Sequence, residues 1–400
     1  MATTDLKLSN GVLMPAIGLG TWRADESGVL AQTIKTAVAL GYRHIDCAKI
    51  YGNQREIGQA LKGAGVPRSE LFIVSKIYQN KHRPELVAGA LDEILDELQL
   101  EYLDLLLMHW PYALNPEISS IDFVSSDIEN VPIMDTWRAM EDLVESGKVR
   151  AIGVSNFNRA ILDKMIPQCS IVPAVNQVEI HPYNQQTGLV KFCRQHGIAV
   201  TGYCPLGGTK ISVMEDKFIQ RVAEAHLCTP AQVALSWALA RGIAVIPKST
   251  SETRLKQNLH QITLTSDEMR MFAKLDKNER KVDPGRSFKE LEWVFHEDVA
   301  DSMNSTKTAL TKLFSRLNRS SDSLVDGSTS HLKLRNEDSD ASSLADSATT
   351  ASFAADEHQD SAAAMVSASK GGSAQDALNY LFSNYSSTKT SAMHVYHSRM

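Results

Sequence analysis

Four titratable residues of four types, Asp46, Tyr51, Lys76 and His109, stand at or just past the ends of three successive strand-like runs, RHIDCAKIY, LFIVSK and YLDLLLMHW. Each follows apolar residues of the kind that are buried. In a barrel of parallel strands all the carboxyl ends open onto one face, so residues far apart in sequence converge there. An acid, a phenol, an amine and an imidazole brought together make proton-transfer machinery. Singly, each has an ordinary reading: Asp46 as a turn cap, Tyr51 as a rim aromatic, Lys76 as a surface lysine, His109 as a satisfied core histidine. Together they describe one device. A phenol titrates near about 10 and is a poor acid at neutral pH, and an adjacent ammonium is expected to lower that value. A carboxylate beside the ammonium would keep it charged and directed, and the imidazole could orient a carbonyl by hydrogen bonding. A reductant is still required.

The elements that must position these groups can be read from hydrophobic patterning. Eight short apolar runs rich in β-branched residues recur: AIGLG, RHIDCA, LFIVSK, YLDLLLMHW, VRAIGVSNF, PAVNQVEI, IAVTGYC and IAVIPKS. Amphipathic segments such as VLAQTIKTAVALG, PELVAGALDEILDELQL, MDTWRAMEDLVESG, TGLVKFCRQHG and PAQVALSWALARG separate them. Gly41, Gly147, Gly197 and Gly242 close several of these segments, where a left-handed cap is needed. Strand and helix alternating eight times predict an α/β fold of the (β/α)8 TIM-barrel type rather than an open doubly wound sheet. Ahead of the first strand, the Asn10-Gly11 pair in LKLSNGVLM predicts a β-hairpin placed to plug the bottom of the barrel. Two connections, from Pro111 to Pro132 and from about Lys277 to Asp298 with Pro284, Phe288, Trp293 and Phe295, exceed what closure needs and are expected to select substrate.

Composition divides the chain. All 13 prolines lie at or before Pro284, all five tryptophans at or before Trp293 and all five cysteines at or before Cys228. After about residue 300 the sequence turns to Ser, Ala and Asp, with little apolar surface to offset chain entropy. The reading is a barrel domain over 1–298 and a mostly disordered tail over 299–400. A formal net charge of -6 argues against nucleic-acid binding. No apolar run is long enough to suggest a membrane span, and the opening MATTDLKLSNG has neither a basic leader nor an apolar stretch. Cys47, Cys169, Cys193, Cys204 and Cys228 are odd in number and irregularly spaced, as expected of reduced thiols in a cytoplasmic protein. No His/Cys/Asp cluster has metal-ligand spacing, and neither GLGTW nor GNQREIG forms the strand-GxGxxG-helix unit of a Rossmann site.

The stretches GLGTW (18–22), YRHIDCAKIYGNQREIG (42–58), LFIVSK (71–76), YLDLLLMHWP (102–111), GVSNF (153–157), NQVEIHPY (176–183) and IPKS (246–249) resemble the signature segments of the aldo-keto reductases, in that family's order. The resemblance covers residues 1 to about 298. It implies NADPH-dependent reduction of aldehydes or ketones, with Tyr51 as proton donor, Lys76 and Asp46 tuning it and His109 positioning the carbonyl. It also implies that Ser155, Asn156 and Gln177 hold the nicotinamide amide and that the Tyr203 ring stacks on the nicotinamide. Gly20, Thr21 and Trp22 border the cofactor in this reading, with Asp46, Cys204 and Leu206. Lys248, Ser249, Thr250 and Arg254, with Gln257 and Asn258 a turn further on, supply cations and polar groups suited to a 2′-phosphate and adenine. Trp22 and Trp110 resemble aromatics that line the substrate pocket, favouring an apolar or sugar-like face over a strongly charged one.

Departures from the family pattern carry expectations of their own. In YCPLGG, Cys204 and Gly208 stand where many relatives carry serine beside the pyrophosphate, leaving backbone amides near Leu206 to bind it. The segment from Gly207 to about Asp216 is shorter than the loop that covers the cofactor in longer members, so weaker closure and faster release are expected. In the tail, SMNSTKTALTKLFSRLNRS and QDALNYLFSNY could form helices, and the terminal Ser398, Arg399 and Met400 resemble a variant peroxisomal address. The leading expectation is a monomeric, cytoplasmic reductase of aliphatic, aromatic or aldose carbonyls, independent of metal. The alternatives are an NADP(H)-binding sensor or scaffold on the same barrel, and an alcohol dehydrogenase working in the oxidative direction.

Overall fold

The computed structural model describes residues 5–24, 28–208 and 213–294. Expectations about Phe295, the tail helices and the terminal tripeptide lie outside those residues. The chain opens with β1 (Leu6–Lys7) and β2 (Leu13–Met14), an antiparallel pair whose turn carries Gly11 at φ 86°. Then follow β3 (Gly18–Gly20), α1 (Val29–Leu40), β4 (His44–Asp46), α2 (Gln54–Lys62), β5 (Phe72–Ile77), α3 (Pro84–Leu98) and β6 (Leu105–Met108). A small antiparallel pair, β7 (Ala113–Leu114) and β8 (Ile128–Glu129), spans the ends of the first long connection. The chain continues through α4 (Ile133–Glu145), β9 (Ile152–Ser155), α5 (Arg159–Met165), β10 (Val175–Glu179), α6 (Thr187–Gln195) and β11 (Ala199–Tyr203). It ends in α7 (Lys217–Ala225), α8 (Pro230–Ala240), β12 (Ile243–Val245), α9 (Glu252–Asn258) and α10 (Ser266–Ala273).

Eight strands, β3, β4, β5, β6, β9, β10, β11 and β12, pair in that order, each parallel to the next. The ring closes through a parallel bridge between Ile17 and Val245, where the Val245 amide donates to the Ala16 carbonyl at 2.8 Å. This is the expected (β/α)8 barrel. The helices begin and end where their sequences require it: Thr229 caps α8 with Gln232 reaching back and Pro230 at the first turn, and Thr265 with Glu268 does the same for α10. One difference from the simple alternation is that two helices, α7 and α8, fill the connection between β11 and β12. No helix among the described residues is long and apolar enough to cross a membrane.

Period-two alternation along the barrel strands sorts the core into two sets. Ile45, Ile73, Leu106, Val154, Val178, Val200 and Ile243 face outward and pack under the helices in the large cluster with Trp137 and Trp237. Phe72 and Val74 of β5, Leu105 and Leu107 of β6, Val175 of β10 and Ala244 of β12 form a second cluster in the barrel interior, closed below by Leu8 and Met14 of the hairpin segment. The hairpin therefore plugs the bottom, as its position suggested. Continuing the same alternation upward, Phe72 and Val74 lead to Lys76, Leu105 and Leu107 lead to His109, and His44 leads to Asp46. The titratable residues are the top layer of an apolar column, which is why they share one side of their strands.

Candidate active site

At the carboxyl rim the interior columns end in a hydrogen-bonded cluster. Lys76 Nζ donates to Asp46 Oδ1 at 2.6 Å and to the Cys47 carbonyl at 2.7 Å, with the Lys76 and Asp46 side chains only 1% and 2% exposed. Asp46 Oδ2 accepts from Gln177 Nε2 at 2.7 Å. The Thr21 hydroxyl donates to the Asp46 carbonyl at 2.8 Å, and Asn53 Nδ2 donates to the Thr21 carbonyl at 3.0 Å. A buried ion pair with further hydrogen bonds on both partners is held to one geometry. Gly20 is required for the strands to meet here, because a Cβ on it would stand 2.6 Å from the Ile246 carbonyl oxygen.

Tyr51 ends a short 3-10 turn after β4, and its half-buried ring lies over this pair, with Lys76 Nζ 5.1 Å from the ring centroid. Trp22 packs against it at 4.8 Å between centroids and His109 at 6.0 Å, edge on. All four opening residues are thus brought together. The phenol, however, is raised well above its usual value, by burial first and then by the nearby Asp46 carboxylate. This runs against the expectation that Lys76 would lower it: burial is the largest effect on the phenol, and the Asp46 carboxylate that holds Lys76 adds to the rise. The consequence is a phenol that stays protonated at neutral pH. His109 is 8% exposed and is pushed well below the usual histidine value by burial, with the Lys76 ammonium adding to it. Its imidazole is neutral at physiological pH.

Residues at the ends of β9 and β11, with Gln177 inside β10, form a second network. Tyr203 OH donates to Asn156 Oδ1 at 2.7 Å; Asn156 Nδ2 donates to the His109 carbonyl at 3.0 Å and to Ser155 Oγ at 3.2 Å; Ser155 Oγ donates to the Gln177 carbonyl at 2.9 Å. Asn156 adopts φ 63°, a left-handed conformation that asparagine tolerates and that turns its amide toward the rim. Gln177 lies within β10 rather than at its end, and its amide serves Asp46. Beyond β12, Lys248, Thr250 and Arg254 are exposed while Ser249 and Asn258 are buried and Gln257 is half-buried. Ser249 Oγ accepts from the Ser251 amide at 3.2 Å, at the start of α9. Asn258 reaches the Tyr42 phenol, so part of its polarity is used inside the protein. Cys204, at φ 49°, and Leu206 sit just past β11. The segment expected to cover the cofactor falls partly on residues 209–212, outside the described residues.

Trp22, Arg23, Ile50, Tyr51, Ser119, Ser120 and Ile121 line a cleft of about 400 Å³ above the phenol. Trp110 stacks beside His109 at 6.4 Å and joins an aromatic wall with Tyr112 and Phe123. Phe123 in turn stacks on Phe288 at 4.5 Å and 15°, and Ser125 Oγ donates to Glu290 at 3.1 Å. The two long connections therefore meet each other, a pairing over 165 residues that neither segment signals alone. Sequence reasoning also passed over Glu179. Fully buried on β10, it accepts from the amides of Lys281 and Val282 at 2.8 Å each and contacts His181 Nε2 at 2.9 Å. A charged residue inside the apolar NQVEI run was the available sign.

The fold is a (β/α)8 barrel, and a lysine–aspartate pair, a phenol and a neutral imidazole are gathered on its carboxyl rim. The model of the Aldo/keto reductase family matches residues 16–277. The chain is 43% identical over 303 residues to aldo-keto reductase family 1 member A1 of Pongo abelii and equally to that of Sus scrofa, in each case over 71% of this chain and 93% of the relative. The solved structure of the aldose reductase from Schistosoma japonicum superposes with a TM-score of 0.67 at 38% identity, covering 70% of this chain and 95% of that one. This chain belongs to the aldo/keto reductase family, a family of oxidoreductases acting on small carbonyl compounds.

Proposed function

We propose that the protein reduces aldehydes and ketones to alcohols with NADPH, Tyr51 giving the proton. One observation carries this reading: the Tyr51 ring lies 5.1 Å from a lysine that is itself held by Asp46, and 6.0 Å from the ring of a neutral His109, at the mouth of a cleft. Bound NADPH would supply a hydride to the carbonyl carbon. His109 would hold the carbonyl oxygen in reach of the Tyr51 hydroxyl, which protonates it as the C–O bond becomes single. Lys76, paired with Asp46, would stabilise the phenolate left behind, the state in which its charge counts most.

The donor set fits such a cofactor. Ser155, Asn156 and Gln177, already bonded to one another, to Asp46 and to the His109 carbonyl, keep oxygen lone pairs suited to the NH2 of a carboxamide, and Tyr203 adds an aromatic face. Lys248 and Arg254, exposed after β12, suit a 2′-phosphate. Trp22, Trp110 and Ile121 favour substrates with an apolar face, and Ser119 and Ser120 leave room for hydroxyls, so aliphatic, aromatic and aldose carbonyls all belong to the reading. The chemistry is reversible, and the cellular cofactor ratio sets its direction. The same reading takes the protein to be a cytoplasmic monomer.

Cofactor consumption against a panel of aldehydes, ketones and aldoses, with Tyr51→Phe as control, tests the proposal. Equal turnover in the variant would overturn the assignment of the proton donor. NADH binding as tight as NADPH binding would remove the role assigned to Lys248 and Arg254. Tight NADPH binding with no turnover on any carbonyl would favour the sensor reading.

A further inference from the structure

We infer that Lys281 is a diphosphate-binding residue of the cofactor site, carried over the end of β11 by the strap that follows α10. The inference rests on the proposed NADPH binding. If the nicotinamide lies against β9 and β10 and the 2′-phosphate against the start of α9, the diphosphate must cross the strand between them. That strand is β11, which pairs with β10 on one side and β12 on the other. The residues just beyond it, Cys204-Pro205-Leu206-Gly207-Gly208, carry positive φ at 204, 207 and 208, a backbone that exposes amide groups. Their side chains offer little: a thiol is a weak donor and glycine has none.

The strap supplies what these residues lack. Lys277 and Glu279 donate their amides to the Tyr183 carbonyl at 3.1 and 2.9 Å, and the two carboxylate oxygens of Glu179 accept the amides of Lys281 and Val282. Glu179 is itself fully buried, so it fixes the strap to the barrel from inside. The Lys281 side chain then lies along Gly208, where an added Cβ would stand 3.4 Å from both its Cδ and its Nζ. Gly208 and Lys281 thus fit as a pair: the smallest residue at 208 leaves space for the lysine stem, and the lysine brings an ammonium to within 3.4 Å of where a side chain at 208 would begin. Its charge is felt locally, offsetting part of the rise that burial imposes on the Cys204 thiol.

Calorimetric titration of the full chain and its Lys281→Met and Lys281→Arg variants with three probes tests this: NADPH, 2′-phospho-ADP-ribose, and 2′-AMP, which lacks the diphosphate. Lys281→Met should weaken the first two by roughly tenfold or more, the scale of one lost charge-assisted contact, and leave 2′-AMP unchanged. Lys281→Arg should restore most of the loss, and the salt dependence of NADPH binding should be shallower in Lys281→Met. Wild-type affinity for NADPH in Lys281→Met would overturn the inference alone. So would equal weakening of all three probes, which would mark a general distortion. Failure of the unaltered protein to bind NADPH would remove the cofactor reading on which both stand.

Discussion

The Lys76 ammonium and the Asp46 carboxylate meet at 2.6 Å inside the barrel mouth, and the second oxygen of Asp46 is taken by Gln177 from 131 residues away. The pair is buried and directed, with Lys76 also donating to the Cys47 carbonyl. Burial first, and then the Asp46 carboxylate of this pair, hold the neighbouring phenol protonated rather than acidified. Removing one partner leaves a buried charge without compensation. Asp46→Asn is expected to cost about 3–5 kcal/mol of stability, read from urea denaturation midpoints, whereas a variant as stable as the parent would show that water reaches Lys76.

Tyr51→Phe removes one hydroxyl and keeps the ring contacts with Trp22 and Lys76. Turnover should fall by about 10²–10⁴, the usual share of a positioned general acid, while NADPH affinity stays as it was. A matched loss in cofactor affinity would instead mark Tyr51 as a binding residue.

The raised Tyr51 phenol also sets a pH dependence. A donor whose value lies above its ordinary one of about 10 remains loaded through neutral and mildly alkaline pH. The turnover number for reduction should therefore show no alkaline limb below about pH 10. An alkaline limb near neutrality that vanishes in Tyr51→Phe would mean that Lys76 acidifies the phenol after all.

Three buried histidines act on stability in acid. His82 is lowered to about 3 by burial, and His44 and His109 are lowered by the same cause. Below the unfolded value of about 6.5 the unfolded chain takes up protons that the folded one refuses. Stability contributed by the neutral rings is thus complete above that value and lost as pH falls beneath it, at about 1.4 kcal/mol per pH unit for each histidine. Denaturation midpoints measured across this range should decline with acid, and His82→Gln should flatten the decline by one histidine's share.

Met14 closes the interior column from below, with no exposed surface, against Phe72, Leu105 and Leu107. Met14→Ala should cost about 2–5 kcal/mol with turnover unchanged at temperatures where the protein stays folded. A loss of activity before any loss of structure would show that the hairpin supports the rim as well as the base.

Phe123 and Phe288 join the two substrate-side connections. A double-mutant cycle with Phe123→Leu and Phe288→Leu should give a coupling of about 0.5–1.5 kcal/mol in stability, and either change should raise KM for aromatic aldehydes more than for short aliphatic ones. Additive effects would mean that the stacked rings stand in contact without supporting one another.

The barrel was legible because its signals are local. Short β-branched runs, closing glycines such as Gly41 and Gly242, and the Asn10-Gly11 turn each act within a few residues, and the eightfold recurrence of strand and helix leaves few topologies open. The meeting of the four residues on one rim was legible because each stands at or just past the end of a strand-like run, and the carboxyl ends of parallel barrel strands open onto one face. What the chain alone left undecided depends on distance and burial. The direction of the Tyr51 shift follows from how deeply the phenol is buried and how near the Asp46 carboxylate stands, quantities set by all eight strands together. Likewise the bond from Gln177 to Asp46, the Phe123–Phe288 stack and the Glu179 grip on Lys281 and Val282 join segments separated by 102 to 165 residues. Only closure of the barrel brings such segments within reach, because no local preference encodes a partner that distant.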